Sequence, residues 1–367
     1  MGRNSIQPAR RPELGQRPAH ASAHDARPAH DRALDGRSAH GPAIAVRALT
    51  KHYGEVEAVK GVDFEVAPGE VFGFLGPNGA GKTTTISMLC TLVKPTSGSA
   101  AVAGHDAVRE RDDVRRHIGL VFQDPTLDSY LSAAQNLKLH AELYGLQRDL
   151  VQPRMQQVLE MVGLWERKDS PVGTFSGGMR RRLEIARGMM HSPRVLFLDE
   201  PTIGLDPQTR RSIWTYIAEL KEREEITIFM TTHYMDEAEW CDRIAIMDHG
   251  KIVALDDPST LKAGVGTDRV MIHTEDNDAA IAALRDRFGI EAGIAEGAVT
   301  FGVPEGEQFV PRLFAELGVP IQGVSVSRPT LDDVFMSYTG TTIRDAEVDA
   351  ATNRNRMMMQ MMQGGRR

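Results

Sequence analysis

Apolar residues along this chain follow two regimes. Between residues 43 and 265, short β-type runs alternate with stretches of helical period, and the runs at 44–49, 62–66, 71–75, 195–198 and 226–230 read as strands. Runs without polar alternation suit a parallel sheet covered on both faces. From 124 to 190 the pattern is mainly helical, which predicts a helical insert on an α/β core. After Gly264 and Gly266 the character changes. Strands are predicted at 270–273, 298–303 and 319–326, with helices at 278–288 and 308–317, together a small α+β unit. A last short helix is predicted to start at Thr330, where Thr330 and Asp333 have the spacing of a capping box with Asp in the Glu position.

The two ends of the chain carry little that could form a core. Residues 1–42 are rich in Ala, Arg, Pro and His, and composition of that kind predicts a disordered extension. Its histidines, His20, His24, His30 and His40, offer imidazoles to a metal, but at irregular spacing, so a solvated tail is the expectation. Residues 341–367 turn polar and end in a methionine-rich run, again read as a tail. The net charge of -7 gives no reason to expect nucleic acid as a partner. The two cysteines, Cys90 and Cys241, lie in apolar stretches and are expected to be buried free thiols, as in a reducing cytoplasm. No run approaches the roughly 20 apolar residues needed to cross a bilayer, so membrane transport would need another polypeptide.

Two segments carry recognisable chemistry by themselves. Gly76, Pro77, Asn78, Gly79, Ala80, Gly81, Lys82, Thr83 and Thr84 follow an apolar strand and open onto a helix. The glycines let the backbone turn its amides toward phosphate oxygens, Lys82 adds positive charge, and Thr83 adds a hydroxyl for magnesium. About 115 residues later the strand at 195–198 delivers Asp199 and Glu200 at its end. Asp199 is then a magnesium ligand, and Glu200 is free to orient or deprotonate an attacking water.

With Phe175, Ser176, Gly177, Gly178 and Met179 ahead of that strand and Gly204, Leu205 and Asp206 behind it, the chain resembles an ATP-binding-cassette ATPase. The family's opening leucine and closing glutamine are replaced by Phe175 and Met179, neither a main phosphate ligand. The resemblance implies an α/β fold: a P-loop ABC ATPase domain with antiparallel β and helical subdomains at 43–266, followed by a small α+β domain at 267–340. It implies ATP and magnesium as cofactors, and two cassettes closing head to tail. Ser176, Gly177 and Gly178 of one copy would then cover the γ-phosphate bound by the other, and Asp206 would link the two sites. Tyr53 matches the aromatic that stacks on adenine. Gln123 matches the glutamine that touches magnesium and the attacking water, and His233 the histidine at the γ-phosphate. Arg180, Arg181 and Arg182 are expected to form a solvated basic face at least as readily as to serve the nucleotide.

The extra α+β unit and the segment from Pro329 to Gly340 resemble the ATP-binding subunit of daunorubicin-resistance-type exporters. That resemblance implies a homodimer seated on an integral membrane permease at the cytoplasmic face, exporting a drug, lipid or polysaccharide. Tyr130, Leu131 and Tyr144 become candidate permease contacts. The alternative is a soluble cassette acting on ribosomes or DNA. Such proteins carry either two cassettes or long coiled coils, whereas here 52 residues separate Gln123 from Ser176 and no second phosphate loop follows.

Overall fold

The computed structural model describes residues 41–295 and 297–340; the N-terminal histidines and the C-terminal methionine run lie outside them. The first strands, β1 (Ile44–Tyr53) and β2 (Val56–Val66), pair antiparallel and are longer than the apolar runs predict. On β2, buried Val59, Val62, Phe64 and Val66 are interleaved with exposed or part-exposed residues. A strand wet on one face shows an interrupted apolar pattern, so only its dense end is visible from sequence.

The chain then enters its central sheet through β3 (Val71–Leu75) and turns through the glycine loop into α1 (Lys82–Leu89). β4 (Ser97–Val102) and β5 (His105–Asp106) complete a four-stranded antiparallel sheet, ordered β2-β1-β4-β5. α2 (Arg111–His117) leads to β6 (Ile118–Val121). The helical insert follows as predicted, with α3 (Ala133–Leu143) started by a Ser132–Gln135 capping box, then α4 (Arg148–Met161) and α5 (Gly177–Gly188). β7 (Val195–Asp199), α6 (Pro207–Glu224), β8 (Thr227–Thr232), α7 (Met235–Ala238), β9 (Arg243–Asp248), β10 (Lys251–Asp256) and α8 (Pro258–Val265) complete this part.

The central sheet runs β10-β9-β3-β8-β7-β6, with every neighbouring pair parallel except β10 and β9. Its inner strands β3, β7 and β8 are buried on both faces, and each face has its own partner. Phe72, Phe74, Phe197 and Phe229 gather with Phe64 of the antiparallel sheet, where Phe64 and Phe74 meet edge to face at 5.0 Å between ring centroids. Leu75, Leu196, Leu198, Ile228 and Met230 face the helical insert, packing with Leu137, Leu159 and Leu183. Filling both faces fixes the register of the five parallel strands. Their carboxyl ends, where open α/β sheets hold ligands, therefore lie side by side.

The C-terminal unit is a βαββαβ sheet with split, ferredoxin-like order. Its elements are β11 (Asp268–Thr274), α9 (Asn277–Phe288), β12 (Gly293–Ala295), β13 (Ala298–Val303), α10 (Gly306–Glu316) and β14 (Ile321–Ser327), in antiparallel order β12-β13-β11-β14. Val270, Ile272, Leu284, Phe301 and Leu313 belong to a core of its own. The helix expected at Thr330 is α11 (Leu331–Thr339), with both bonds of the Thr330–Asp333 capping box in place. It does not join that core. Leu331, Val334 and Phe335, spaced as one helix face, pack into the core of the first domain together with Leu261 of α8. The chain thus crosses into the small unit and returns.

Candidate active site

The glycine loop begins where β3 ends. A Cβ on Gly76 would lie 2.1 Å from the Met247 carbonyl oxygen, and one on Gly81, whose φ is +111°, would lie 2.6 Å from the Ala58 oxygen. No other residue fits either place without moving backbone. Asn78 and Gly79 are exposed at the loop's tip, while Pro77 and Ala80 are buried beneath them, and Thr84 is half-buried at the start of α1. Lys82 is only 4 % exposed. Its Nζ donates to the carbonyls of Gly76 (2.7 Å) and Pro77 (3.1 Å), and it stands 3.6 Å from Glu200 Oε1.

The ends of β6, β7 and β8 bring the remaining groups to that lysine. Asp199 Oδ1 accepts from Thr231 Oγ1 at 2.5 Å and from Thr83 Oγ1 at 3.4 Å. Glu200 takes up a left-handed backbone conformation, φ +44°, rare for a residue with a side chain and common at functional turns. Its carboxylate lies 3.4 Å from His233 Nδ1 and accepts from Gln123 Nε2 at 3.4 Å. Burial works against charge on Glu200, but His233 and Lys82 outweigh it and hold the carboxyl below its ordinary value. Asp199 moves the other way: burial raises it, with Glu200's negative charge adding to the effect. Two adjacent buried carboxylates, a threonine hydroxyl and an amide form an all-oxygen donor set of the type magnesium prefers, so the residues present fit the ion.

Lys82, Thr83, Gln123, Asp199, Glu200 and His233 therefore meet in one cluster, from segments spread over 150 residues of chain. Ser176, Gly177, Gly178 and Asp206 stand at the starts of two other helices. Ser176 caps α5 by accepting from Met179 N–H (3.2 Å), and Asp206 caps α6 by accepting from Thr209 N–H (2.9 Å). Gly178 is needed for close packing of those helices, since a Cβ there would sit 2.4 Å from Thr209 Cγ2. Tyr53 is half exposed at the end of β1, with the Lys51 ammonium 4.9 Å from its ring centre. Tyr130 is 92 % exposed, but Tyr144 packs on His191 at 4.0 Å between ring centres.

Two features escaped the sequence reading. Thr231 binds the acidic pair together, donating to Asp199 while its Oγ1 accepts from Glu200 N–H at 3.0 Å. The signal available was two threonines closing a buried strand behind the apolar run 228–230, since a buried hydroxyl must find a partner. The second is a correction: Arg181 and Arg182 do not belong to a solvated face. Arg181 is 7 % exposed, and Arg182 donates to the Val162 carbonyl (3.0 Å) and the Tyr216 hydroxyl (2.8 Å). Helical phase alone turns Arg181 inward, and three identical residues in a row carry no periodicity that reveals it.

Comparison with known proteins agrees with this geometry. Residues 59–203 match the ABC transporter family, and residues 257–339 match the C-terminal domain of DrrA1-3-like ATP-binding proteins. The linearmycin resistance ATP-binding protein LnrL of Bacillus subtilis is 38% identical over 306 residues, spanning 81% of this chain and 98% of that one. The daunorubicin resistance ATP-binding protein DrrA3 of Streptomyces coeruleorubidus is 39% identical over 311 residues, 83% and 98% of the two chains. Among solved structures, cbiO1 from Clostridium perfringens, part of the ABC transporter complex cbiONQ, superposes with a TM-score of 0.57 at 32% identity, over 61% of this chain and 91% of that one. A dimeric ATP-binding cassette in a post-hydrolysis state bound to ADP and Pi gives 0.53 at 27% identity, over 58% and 98%. With a phosphate loop, an acid pair and a signature helix on this fold, and relatives matched over nearly their whole length, the chain belongs to the ATP-binding-cassette ATPases, in the group of drug-resistance ATP-binding subunits.

Proposed function

We infer that this chain is the ATP-hydrolysing subunit of an exporter, working as a head-to-tail homodimer bound to a separate membrane permease at the cytoplasmic face. The observation that carries the reading is the placement of Glu200, an ionised carboxylate held between Lys82, His233 and Gln123 at the end of the strand that also presents Asp199. The relatives named for linearmycin and daunorubicin resistance favour a drug over a lipid or polysaccharide as cargo. No helix among the described residues is long and apolar enough to cross a membrane, so a partner would supply the path. The match of the C-terminal unit to the C-terminal domain of DrrA1-3-like ATP-binding proteins favours this reading over a cassette acting on ribosomes or DNA.

In this reading the loop amides from Gly76 to Gly81 and the Lys82 ammonium cradle the triphosphate, and Tyr53 stacks on the adenine. Thr83, Asp199 and Gln123 hold magnesium, which when bound supplies positive charge to the phosphate oxygens. Gln123 and Glu200 orient the attacking water and Glu200 takes its proton; His233 steadies Glu200 and the γ-phosphate. Ser176, Gly177 and Gly178 of the second copy close the site with a hydroxyl and helix-start amides, where negative charge is favoured. Asp206 joins the two sites. Hydrolysis turns one bound anion into two that repel, and the dimer opens.

Light scattering on Glu200→Gln with magnesium and ATP tests the assembly, because ATP that is not hydrolysed should hold the pair together. A stable dimer that co-purifies from membranes with an integral membrane subunit is the expected result. A monomer that hydrolyses ATP at full rate and tolerates Ser176→Arg would end the reading.

A further inference from the structure

Arg181 uses all five of its N–H groups. Nε donates to the Pro201 carbonyl (2.5 Å), Nη1 to the Phe122 carbonyl (2.6 Å) and Glu184 Oε2 (2.9 Å), and Nη2 to the carbonyls of Asp199 (3.1 Å) and Glu200 (3.2 Å). One guanidinium thus grips the backbone just before Gln123 and the backbone through the acid pair. Two further residues on the same face of α5 continue the grip. Glu184 Oε1 accepts from Thr126 N–H (2.9 Å), and Arg187 donates to Thr126 O (3.0 Å) and Oγ1 (2.5 Å). The segment carrying Gln123 is therefore pinned to α5 on both sides, at 122 and at 126.

The same helix begins at Ser176 and Gly177, which stand exposed. Arg181 lies about 7 Å along the axis from that start, at 1.5 Å of rise per residue. A helix of this length moves as a body. Any tilt that engages its start is delivered to Phe122, Thr126 and the Asp199–Pro201 backbone through charge-assisted bonds, the stronger class of hydrogen bond. Glu200, in its left-handed conformation, sits at the receiving end.

We propose that Arg181, with Glu184 and Arg187, couples the two nucleotide sites of the dimer: it makes the positions of Gln123 and Glu200 in one subunit depend on whether that subunit's own α5 has engaged the ATP held by its partner. Arg181 is a positioning residue, acting through the backbone of the groups that touch substrate. The proposal rests on the head-to-tail reading above, and it adds a direction: the signal runs from the partner's triphosphate, along α5, to this subunit's water-activating groups.

The test uses the full chain, or its complex with the membrane subunit, and follows hydrolysis rate against ATP concentration for wild type, Arg181→Met, Arg181→Lys and Arg187→Met. Wild type is expected to be cooperative, with a Hill coefficient above 1. Arg181→Met should lower kcat about 10- to 100-fold and bring the Hill coefficient to about 1, within the range of site-to-site couplings, while affinity for a fluorescent ATP analogue changes less than about twofold. Arg181→Lys keeps the charge but not the fork; it should restore part of kcat and little of the cooperativity. Arg187→Met, which frees only Thr126, should lower the Hill coefficient with a smaller loss of kcat, and it keeps the test open if Arg181→Met does not fold. A Hill coefficient of 1 in wild type, or unchanged cooperativity in all three variants, overturns the proposal. So does a loss of kcat matched by equal losses of nucleotide binding and of Tm, since that is a structural role only. Glu200→Gln run alongside separates the failures: if it dimerises with ATP while the Arg181 variants stay cooperative, only the coupling falls; if it does not dimerise, both readings fall.

Discussion

The first domain and the C-terminal unit treat charge in opposite ways. Lys82, Arg181, Glu184, Asp199, Glu200 and Glu237 are all buried in the first domain, each within a network of polar partners. Beyond Glu237 the described residues contain no buried charged side chain. The core of the C-terminal unit is wholly apolar, and its ion pairs, Arg285–Glu291, Arg312–Glu316 and Arg328–Glu307, are exposed. Taking a charge out of water costs several kcal/mol unless its partners are well placed. The contrast separates a first domain that keeps partnered charge in its interior from a C-terminal unit that does not.

The contrast predicts that substitutions in the two regions fail in different ways. Replacing the carboxylate in Glu200→Gln should reduce ATP hydrolysis about a thousandfold, roughly 4 kcal/mol of barrier, while the variant still binds nucleotide. Hydrolysis within tenfold of wild type would show that Glu200 is not the group that takes the proton. Phe301→Ala, in the apolar core of the small unit, should cost about 3 kcal/mol of that unit's stability and leave ATP hydrolysis by the purified subunit within twofold. All three tryptophans, Trp165, Trp214 and Trp240, lie in the first domain. An early loss of helix signal without a matching shift in tryptophan fluorescence is the expected signature; a joint shift would mean the two regions unfold as one.

Acid provides a subtler separation. Burial pushes the imidazole of His140 down to about 3 and that of His191 down to about 4. Unfolded histidine takes up its proton near 6.5. The unfolded chain therefore binds protons first, so this contribution to stability is complete above about pH 6.5 and drains away as pH falls toward 4 and then 3. Tryptophan-monitored Tm should drop across that window, and His191→Gln should flatten the dependence by about 1 to 3 kcal/mol over the range. An unchanged slope would remove His191 as its source. The smallest effect belongs to the exposed pair in the small unit: Arg312→Ala should change stability by less than about 0.5 kcal/mol, and a larger loss would show that its stacking 5.3 Å over Phe288 matters more than its charge.

Much of the site was legible because its chemistry is local. Gly76 to Thr83 form a phosphate loop by their order alone, and Asp199 and Glu200 announce themselves as acids closing an apolar strand. Gln123, His233 and Ser176 acquired meaning from their sequence relative to those two segments. Thr231 and Arg181 did not, because their importance lies in partners more than 30 and nearly 60 residues away in the chain, at Asp199 and Phe122. The helix α11 shows the same limit. Its capping box was readable at Thr330 and Asp333, yet which of two cores its apolar face enters is a matter of where the chain has already folded.

What the amino-acid order determined by itself, then, was the alternation of strands and helices, the covered parallel sheet and the identity of the groups that meet a triphosphate, since propensity, periodicity and loop chemistry act over a few residues. Only the tertiary structure decided that Arg181 faces inward, that Thr231 ties the acid pair, and that α11 returns to the first domain. Those outcomes depend on which buried donors and acceptors, or which two apolar surfaces, lie opposite one another after packing, and a buried charge or carbonyl accepts only the partner that packing leaves within reach.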